Sequence, residues 1–355
     1  MSAPAKPVRI QKVLFRQVRR PMKTLFATAL GRKKAAVSVL VTVVLEDGSR
    51  GTGEVPTSFV LPHETPEAIK AILREARAFF AGVPYDDCGG RFDAFRARHA
   101  RFHMTLAGLE VAIFRAALAC RGVGEHAYWG QSLRRLETDI TISFQPDRDV
   151  LADWLGRITR AGFKTYKVKV SGKVDDDIAF ITFIRDFLAV RVPDFVIRLD
   201  GNQGYTARTY VRMLRALEKT RVPIELFEQP LARDDFAGLK RLAGAGEVPM
   251  ILDETVFDAR ACRRVIDDHL AAGVNIKIAK SGIAESAAIL RMARGAGLKL
   301  MIGCMTETMV GLSAGINLAA GTGSFDYIDL DSIHLIHQHD RGGPIRIEGP
   351  CYSME

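Results

Sequence analysis

The sequence predicts an α/β fold, a (β/α)8-type (modified TIM) barrel with an N-terminal α+β capping domain. From about residue 138 onward, short apolar runs alternate with polar turns and amphipathic segments, the pattern of βα units around a parallel sheet. Eight such runs occur, and their ends are spaced by 24 to 31 residues. No GxGxxG turn follows the first run, which disfavours a dinucleotide-binding open sheet.

Residues 1–130 form the predicted capping domain. It opens with strand-like stretches at 8–18 and 36–55, and the Asp47-Gly48 turn in the second stretch is typical of a hairpin or a meander. Two helical patterns follow, at residues 66–80 and from about Phe92 to Cys120. Strands followed by helices indicate an α+β domain placed before the barrel.

Residues 131–335 form the predicted barrel domain, and residues 336–355 form a C-terminal segment. The eight predicted strands are DITISF (139–144), TYKVKV (165–170), FVIRLD (195–200), PIELFE (223–228), PMILDE (249–254), VNIKIA (274–279), LKLMIG (298–303) and DYIDLD (326–331). Thr206 and Asp258 are the expected N-caps of two intervening helices. Because an eight-stranded barrel has no place for a ninth strand, we predict that the C-terminal segment packs back on the capping domain.

Composition and charge indicate a globular cytoplasmic protein. Of the 355 residues, 48% are hydrophobic and 26% charged. The five cysteines include no CxxC pair, so we expect reduced thiols rather than disulfides or a zinc site. The net charge of +9 is spread along the chain without a nucleic-acid-binding motif. We also find no apolar run of membrane-spanning length and no signal-like N terminus, and therefore expect neither a nucleic acid nor a membrane partner.

Charged side chains recur at the carboxyl ends of the predicted strands. In a parallel barrel these ends meet at one mouth, where active sites form. The residues are Lys167, Lys169, Asp200, Glu228, Asp253, Lys277, Asp329 and Asp331. Each single acid could equally be a helix cap or a surface residue, but three acids in register on consecutive strands favour a common site.

Asp200, Glu228 and Asp253 form a candidate metal site. Three carboxylates in one low-dielectric mouth repel each other unless a cation lies among them. Oxygen donors without histidine or cysteine favour Mg²⁺, or alternatively Mn²⁺, over zinc. The sequence therefore predicts a hard divalent cofactor.

The alternation in TYKVKV places Lys167 and Lys169 on one face of a strand. On an isolated strand this would be a solvated basic face, whereas inside a barrel it points at the mouth. We expect the neighbouring ammonium and partial burial to lower a lysine pKa there, which suits a base. With Lys277 on the opposite side, the pair could remove and deliver a proton from opposite faces of a carbon acid next to a carboxylate.

These motifs resemble the enolase superfamily, specifically its muconate-lactonizing-enzyme subgroup. The matching stretches are KVK (167–169), LDGNQGY (199–205), FEQP (227–230), LDET (252–255), NIKIAKSG (275–282) and IGCMTET (302–308). The resemblance implies that Lys169 and Lys277 are the acid/base pair, with Lys280 as a neighbour. It also implies that the three acids hold Mg²⁺.

The motif DLD (329–331) is similar to the Asp-x-Asp with which dipeptide epimerases hold the free ammonium of the substrate. Acids at i and i+2 on a strand face one way and suit a cation, although a salt-bridged pair at the barrel end is the alternative for Asp329 and Asp331. By the same resemblance, Thr141 assists at the substrate carboxylate.

Two capping-domain loops are expected to set specificity. FATALGRKK (26–34) resembles the specificity loop of Ala-Glu epimerases, but Gly31 stands at the position of the arginine that meets the acidic side chain, with Arg32 adjacent. The loop TSFVLPHET (57–65) supplies the remaining lining residues, Phe59, Val60 and Leu61. Such a lining favours an apolar or bulky substrate side chain. Arg115, which replaces an acid common among relatives, is expected to be structural.

The resemblance implies a dipeptide epimerase that inverts a Cα by two-base, 1,1-proton transfer through a Mg-stabilised enediolate. A small-molecule dipeptide is the expected partner, and a homo-oligomer is compatible with the sequence. The alternatives are a cycloisomerase, an o-succinylbenzoate synthase or an N-acylamino acid racemase, whose substrates lack a free ammonium. A non-catalytic binding protein is a third interpretation, disfavoured because the whole catalytic set is present.

Overall fold

The N-terminal part of the molecule is an antiparallel meander, as the sequence predicts. The computed structural model describes residues 7–337 and 344–354. The strands are β1 (Ile10–Thr28), β2 (Gly31–Leu45) and β3 (Arg50–Pro56), paired in the order β1-β2-β3. The Asp47-Gly48 turn joins the last two, with Gly48 at φ 88° and the Asp47 carboxylate accepting from the Ser49 N–H at 2.9 Å.

The predicted helical stretch from Phe92 to Cys120 is divided into two helices. The capping-domain helices are α1 (Pro66–Phe80), α2 (Cys88–Arg98), α3 (His103–Cys120) and α4 (Glu125–Tyr128), with a 3₁₀ turn at Tyr85–Asp87. The division has a distant cause, because the Glu64 carboxylate accepts from the N–H groups of Met104 at 2.9 Å and Thr105 at 2.8 Å. It thereby caps α3 and fixes a new helix start.

Helix α3 has the length and composition of a membrane span, contrary to our expectation that no stretch does. It has 18 residues and a mean hydropathy of 1.3, and it is the one such helix in the described part of the chain. However, 61% of it is buried inside the protein, where it packs on β2 and β3. These contacts are those of a core helix.

The barrel contains all eight predicted strands. The strands of the second domain are β4 (Arg135–Glu137), β5 (Ile140–Ile142), β6 (Thr165–Lys169), β7 (Val196–Asp200), β8 (Ile224–Glu228), β9 (Met250–Leu252), β10 (Gly273–Ile276), β11 (Lys299–Gly303), β12 (Tyr327–Asp329), β13 (Ile345–Glu348) and β14 (Cys351–Met354). Strands β5 to β12 form one parallel sheet in sequential order. The Asp139 N–H donates to the Ile328 carbonyl at 3.3 Å, so the first and last strands approach each other.

Helices connect the barrel strands. They are α5 (Arg148–Arg160), α6 (Val174–Ala189), α7 (Ala207–Thr220), α8 (Phe236–Leu242), α9 (Ala259–Asp267), α10 (Ile278–Gly295), α11 (Met309–Thr322) and α12 (Ser332–Leu335). The predicted caps are confirmed: the Thr206 hydroxyl accepts from the Thr209 N–H at 3.2 Å, and the Asp258 carboxylate accepts from the Ala261 N–H at 2.7 Å.

The C-terminal strands do not pack on the capping domain as we predicted. Instead, β14 pairs with β4 and β13 pairs with β14, in the order β13-β14-β4, and the buried Tyr352 hydroxyl donates to the Leu330 carbonyl at 2.5 Å. The edge of β4 attracts them, since an unpaired strand edge is a template for pairing. The start of the C-terminal segment does contact the capping domain: the His337 N–H donates to the Pro21 carbonyl at 2.8 Å. Residues 338–343 and 355 lie outside the described residues.

Two acids of the capping domain fix it over the barrel by capping barrel helices. Glu54 on β3 accepts from the N–H groups of Thr308 at 2.9 Å and Gly311 at 3.0 Å at the start of α11. Glu110 on α3 accepts from Ala284 N–H at 3.0 Å within α10, just after Gly282 interrupts the helix at φ 76°. Carboxylates at helix N-termini satisfy free N–H groups and oppose the helix dipole, so both contacts stabilise the docked position.

Arg115 adds a third connection between the domains. Its guanidinium donates to the carbonyl of Val310 at 2.6 Å and to the Ser313 hydroxyl at 2.8 Å on α11, and to the Thr52 carbonyl at 2.9 Å. It also pairs with Glu125 at 2.8 Å. These contacts give Arg115 a structural role, because they join the capping domain to helix α11 of the barrel.

Candidate active site

One cavity lies between the capping domain and the carboxyl ends of the barrel strands. Most of the sequence-predicted residues line it: Thr141, Lys167, Lys169, Asp253, Lys277, Asp329, Asp331, Phe59 and Val60. Asp200 and Glu228 are completely buried beneath it. These residues are distant in sequence, but side chains alternate between the two faces of each strand and the strand ends lie at one edge of the sheet. Together these two features bring the residues to one cavity.

Asp200, Glu228 and Asp253 lie at the carboxyl ends of three adjacent strands, β7, β8 and β9. Each of these acids forms a salt bridge with a lysine. Asp200 is in register with both Lys169 and Glu228. The Lys169 Nζ lies 2.5 Å from Asp200 Oδ2, and the Lys277 Nζ lies 2.7 Å from Asp253 Oδ2. The three carboxylates are therefore compensated by cations rather than left to repel each other.

The pKa values of the three acids follow from this pairing. Burial alone would raise the pKa of Asp200, but Lys169 and Lys167 outweigh it and lower the pKa to about 2. Likewise, Lys277 and Lys280 overcome burial and lower the pKa of Asp253. Burial and then Asp200 raise the pKa of Glu228. Nearby positive charge therefore stabilises the ionised forms of the three carboxylates.

The chemistry of this donor set fits a hard divalent ion. All three groups are carboxylates, and Asn275 orients Glu228 by donating to its Oε1 at 2.8 Å. Within residues 7–337 and 344–354, however, the acids whose oxygens converge within 4.8 Å are Asp139, Asp329 and Asp331. The predicted ligands Asp200, Glu228 and Asp253 instead each contact a lysine Nζ.

Lys167 is held by three acids, and this reverses our expectation for its pKa. Its Nζ lies 2.6 Å from Glu228, 2.7 Å from Asp329 and 3.1 Å from Asp200. We expected burial and the neighbouring lysine to lower a lysine pKa here. Burial does act in that direction, but the attraction of Asp329, Glu228 and Asp200 is stronger and raises the pKa of Lys167. Lys167 is thus a fixed positive charge between the acids.

Lys169 and Lys277 face the cavity from opposite sides. Lys169 is on β6 and Lys277 directly follows β10, and three strands separate β6 from β10 in an eight-stranded sheet. Burial would lower the pKa of Lys277, but Asp253 and Glu228 raise it. Lys280 is a neighbour, as expected, and its Nζ contacts the Asp253 carboxylate at 2.6 Å.

Asp329 and Asp331 differ in their partners. Asp329 is paired with Lys167, which matches the salt-bridge alternative for that residue. Asp331 has no ion pair with any described residue, and its Oδ2 accepts from the Thr141 N–H at 2.6 Å. Burial, followed by the charge of Asp329, raises the pKa of Asp331 to about 6. A buried carboxylate of this kind can bind the cation of a ligand.

The pH dependence of kcat/KM should report this group. Because Asp331 has a raised pKa of about 6, it is ionised above that pH and neutral below it. For a substrate with a free ammonium, we expect kcat/KM to fall about tenfold per pH unit below about pH 6, with a smaller change in kcat. Steady-state rates between pH 4.5 and 8 measure it. A profile that is flat through this range would show that Asp331 does not bind the ammonium.

Backbone and amide contacts hold the strand ends in place. Gln229, at φ 33°, accepts from the N–H groups of Asp253 at 2.9 Å and Thr255 at 3.1 Å. The motif FEQP thereby orients the acid of the motif LDET. The Tyr205 hydroxyl donates to Asp177 at 2.5 Å and connects the loop after β7 to the first turn of α6. These contacts preorganise the acids.

The capping-domain residues divide into lining and supporting groups. Phe59 and Val60 line the cavity, but Leu61 does not, because it is buried in the capping-domain core. Gly31 also lies behind the lining, since a Cβ there would meet the Phe59 ring at 2.9 Å. The phenyl ring takes the space that a side chain at position 31 would need. Arg32 is exposed.

Sequence reasoning missed Lys33, Thr306, Asn202 and Glu254, which also line the cavity. A signal for Lys33 exists in the alternation of β2, where Gly31 and Lys33 share the less exposed face and Arg32 and Lys34 the solvent face. Burial and the adjacent Asp253 raise the pKa of Glu254 to about 8. For Glu254, the sequence signal is its position in the motif LDET, directly after the predicted ligand Asp253.

Comparisons with known proteins identify the family of this chain. The family described as enolase C-terminal domain-like matches residues 150–355. An aromatic dipeptide epimerase from Herpetosiphon aurantiacus is 33% identical over 336 residues, covering 94% of this chain and 92% of that protein. The substrate-liganded L-Ala-D/L-Glu epimerase from Bacillus subtilis has a TM-score of 0.90 at 28% identity, covering 98% of this chain and 96% of that one.

A second solved structure carries both a metal and a dipeptide. The dipeptide epimerase from Enterococcus faecalis V583, complexed with Mg and L-Leu-L-Tyr, has a TM-score of 0.88 at 26% identity. The match covers 98% of this chain and 97% of that one. The chain is therefore an isomerase of the enolase superfamily and belongs to its muconate-lactonizing-enzyme subgroup, together with the dipeptide epimerases named above.

Proposed function

We propose that the chain is a dipeptide epimerase that inverts one Cα by 1,1-proton transfer between Lys169 and Lys277. The observation that carries the proposal is the arrangement of these two lysines on opposite sides of a cavity, with three buried carboxylates on the strands between them. A planar carbanion between the lysines can be reprotonated from the face opposite to deprotonation. That outcome is inversion.

In the forward direction, one lysine acts as the neutral base and the other donates a proton as an ammonium. In the reverse direction their roles exchange. The carboxylates of Asp200 and Asp253 hold the two ammonium groups in place at 2.5 and 2.7 Å. Lys167, fixed between three acids, adds positive charge near the substrate carboxylate, and Thr141 lines the same wall.

Asp200, Glu228 and Asp253 would hold a divalent ion, Mg²⁺ or alternatively Mn²⁺. Such an ion would stabilise the negative charge that develops on the substrate carboxylate when the Cα proton leaves. The support is the all-carboxylate donor set on adjacent strands and the Mg in the Enterococcus faecalis relative.

Asp331 favours a dipeptide over the alternative substrates. It is a buried acid without a cation partner among the described residues, and a free N-terminal ammonium would supply one. The substrates of a cycloisomerase, an o-succinylbenzoate synthase or an N-acylamino acid racemase have no such group. Phe59 and Val60 offer apolar contacts to the substrate, and a cytoplasmic location remains part of the proposal.

Hydrogen exchange at Cα tests the proposal directly. The purified protein is incubated with Mg²⁺ in deuterated water against pooled dipeptides, and we expect a one-dalton gain at Cα, as one deuteron replaces one proton. EDTA should abolish the gain and added Mg²⁺ restore it, whereas an Asp200→Asn variant should not recover. The control pool contains N-acylated amino acids. Exchange in that pool, with none in any dipeptide, would favour the racemase alternative.

A further inference from the structure

The excess positive charge of the chain lies in its first 45 residues, contrary to the even spread inferred from the whole sequence. This stretch contains ten Lys and Arg and no Asp or Glu, which exceeds the net charge of +9 of the entire chain. It folds into β1 and β2 of the capping domain. Such an asymmetry is typical of a surface that binds a negatively charged partner.

Most cations of these two strands are exposed and lack acidic partners. The exposed ones, which we call the basic ribbon, are Lys12, Arg16, Arg19, Lys23, Arg32 and Lys34. Within the described part of the chain none of them forms an ion pair, and the β1 members Lys12, Arg16 and Arg19 stand opposite valine and leucine residues of β2. The ribbon therefore keeps its charge available for an anionic ligand.

Strand β1 also has an open edge. It is the outer strand in the order β1-β2-β3, so β2 pairs with one of its edges. The other edge is covered at its ends, where the Ile10 N–H donates to the Val83 carbonyl and the His337 N–H to the Pro21 carbonyl, both at 2.8 Å. Between these contacts, residues 14–20 make no further backbone–backbone hydrogen bond to a described residue. At about 3.3 Å per residue, this edge is about 23 Å long, enough for another strand to pair.

The open edge and the charge together define the chemistry of the partner. A free strand edge offers N–H and C=O groups that another polypeptide backbone can pair with, whereas a nucleic acid or a lipid surface has no matching pattern. A second copy of this chain would bring its own arginines against Arg16 and Arg19, and like charges on paired strands repel. Opposite charges on paired strands attract, so the fitting partner is an extended polypeptide rich in Asp or Glu.

We propose that the edge of β1 at residues 14–20 binds an acidic, extended segment of another protein as an additional strand. Backbone hydrogen bonds to β1 would hold the segment, and its carboxylates would pair with the basic ribbon. Leu14, which is 45% exposed, adds an apolar contact. No residue of this edge lines the cavity, so the interaction is independent of the reaction proposed above.

Peptide binding to the full chain tests the inference. The probe is a short fluorescent peptide of alternating Glu and Thr, compared with a peptide in which Gln replaces Glu. We expect the Glu peptide to bind at least about tenfold more tightly than the Gln peptide, and added salt to weaken it. Arg16→Glu combined with Arg19→Glu should lower the affinity for the Glu peptide at least about tenfold. The matched control reverses two exposed arginines of α7, Arg208→Glu and Arg215→Glu, and should match the wild type.

N-methylated peptides separate strand pairing from attraction by charge alone. One version carries methyl groups on the N–H groups of its Glu residues and the other on those of its Thr residues, and both keep the charge of the parent. In an added strand only alternate N–H groups point toward β1. One methylated version should therefore bind like the parent, and the other should lose binding.

Three results would overturn the inference. One is unchanged affinity in the Arg16→Glu, Arg19→Glu variant, with the melting temperature of the wild type. Another is equally tight binding of both methylated versions and the parent by the wild type, since charge alone would then attract the peptide. The last is tighter binding of a single-stranded oligonucleotide, or of a vesicle of phosphatidylcholine and phosphatidylglycerol, than of the Glu peptide. The partner would then belong to another class.

Discussion

Replacing Lys277 by alanine should strongly slow epimerisation while preserving proton exchange at one face of Cα. Loss of one general acid/base costs about 10² to 10⁴ in rate, so inversion should fall by that factor in both directions. Lys169 remains on the other side of the cavity, where Asp200 holds it at 2.5 Å. It can still remove and return the proton of the epimer whose Cα–H points toward it. That epimer should gain deuterium without inversion, whereas the other should not exchange.

Lys169→Ala should give the mirror-image result, with exchange confined to the opposite epimer. Proton NMR in deuterated water on each pure epimer separates exchange from inversion for both variants. Lys34→Ala is the matched control, since Lys34 is an exposed lysine outside the cavity. If both epimers exchanged at wild-type rates in either active-site variant, a two-base mechanism would be ruled out for this pair.

The sequence predicted the barrel and its mouth because both depend on short-range periodicity. Alternation within each run decides which residues point inward, and parallel pairing brings the ends of the runs to one edge. Lys169, Asp200 and Glu228 are therefore recognisable from their positions in three separate strands, and the structure places them in register. The family motifs cover the same positions.

The features that the sequence did not predict depend on long-range contacts. Glu64 starts α3 by capping residues 40 positions away, so the helical pattern alone could not show the break. Burial acts to lower the pKa of Lys167, but Asp329, Glu228 and Asp200 raise it, and Asp329 is 162 positions away in the chain. Strand β14 pairs with the edge of β4, and β13 pairs with β14, because the edge of β4 is free once the barrel has assembled.

Asp331→Asn should separate dipeptide chemistry from the other reactions of this fold. The amide oxygen of asparagine can still accept from the Thr141 N–H, now at 2.6 Å from Asp331, so the local backbone contact can be kept. What is lost is the negative charge opposite the substrate ammonium. Hydrogen bonds to charged groups contribute about 1.5–3 kcal/mol, so kcat/KM for dipeptides should fall by about 100-fold, mainly through KM.

An N-acetylated dipeptide completes the test, because acetylation removes the substrate charge while Asp331→Asn removes the charge of the protein. The wild type should discriminate against the acetylated substrate by a similar factor, and the variant should treat the two substrates almost alike. This non-additivity identifies a direct ammonium–carboxylate contact. Asp329→Asn is the comparison variant, and it should also weaken activity on the acetylated substrate, because Asp329 is paired with Lys167 at 2.7 Å. If Asp331→Asn slowed both substrates equally, Asp331 would support the fold of the site and the substrate ammonium would bind elsewhere.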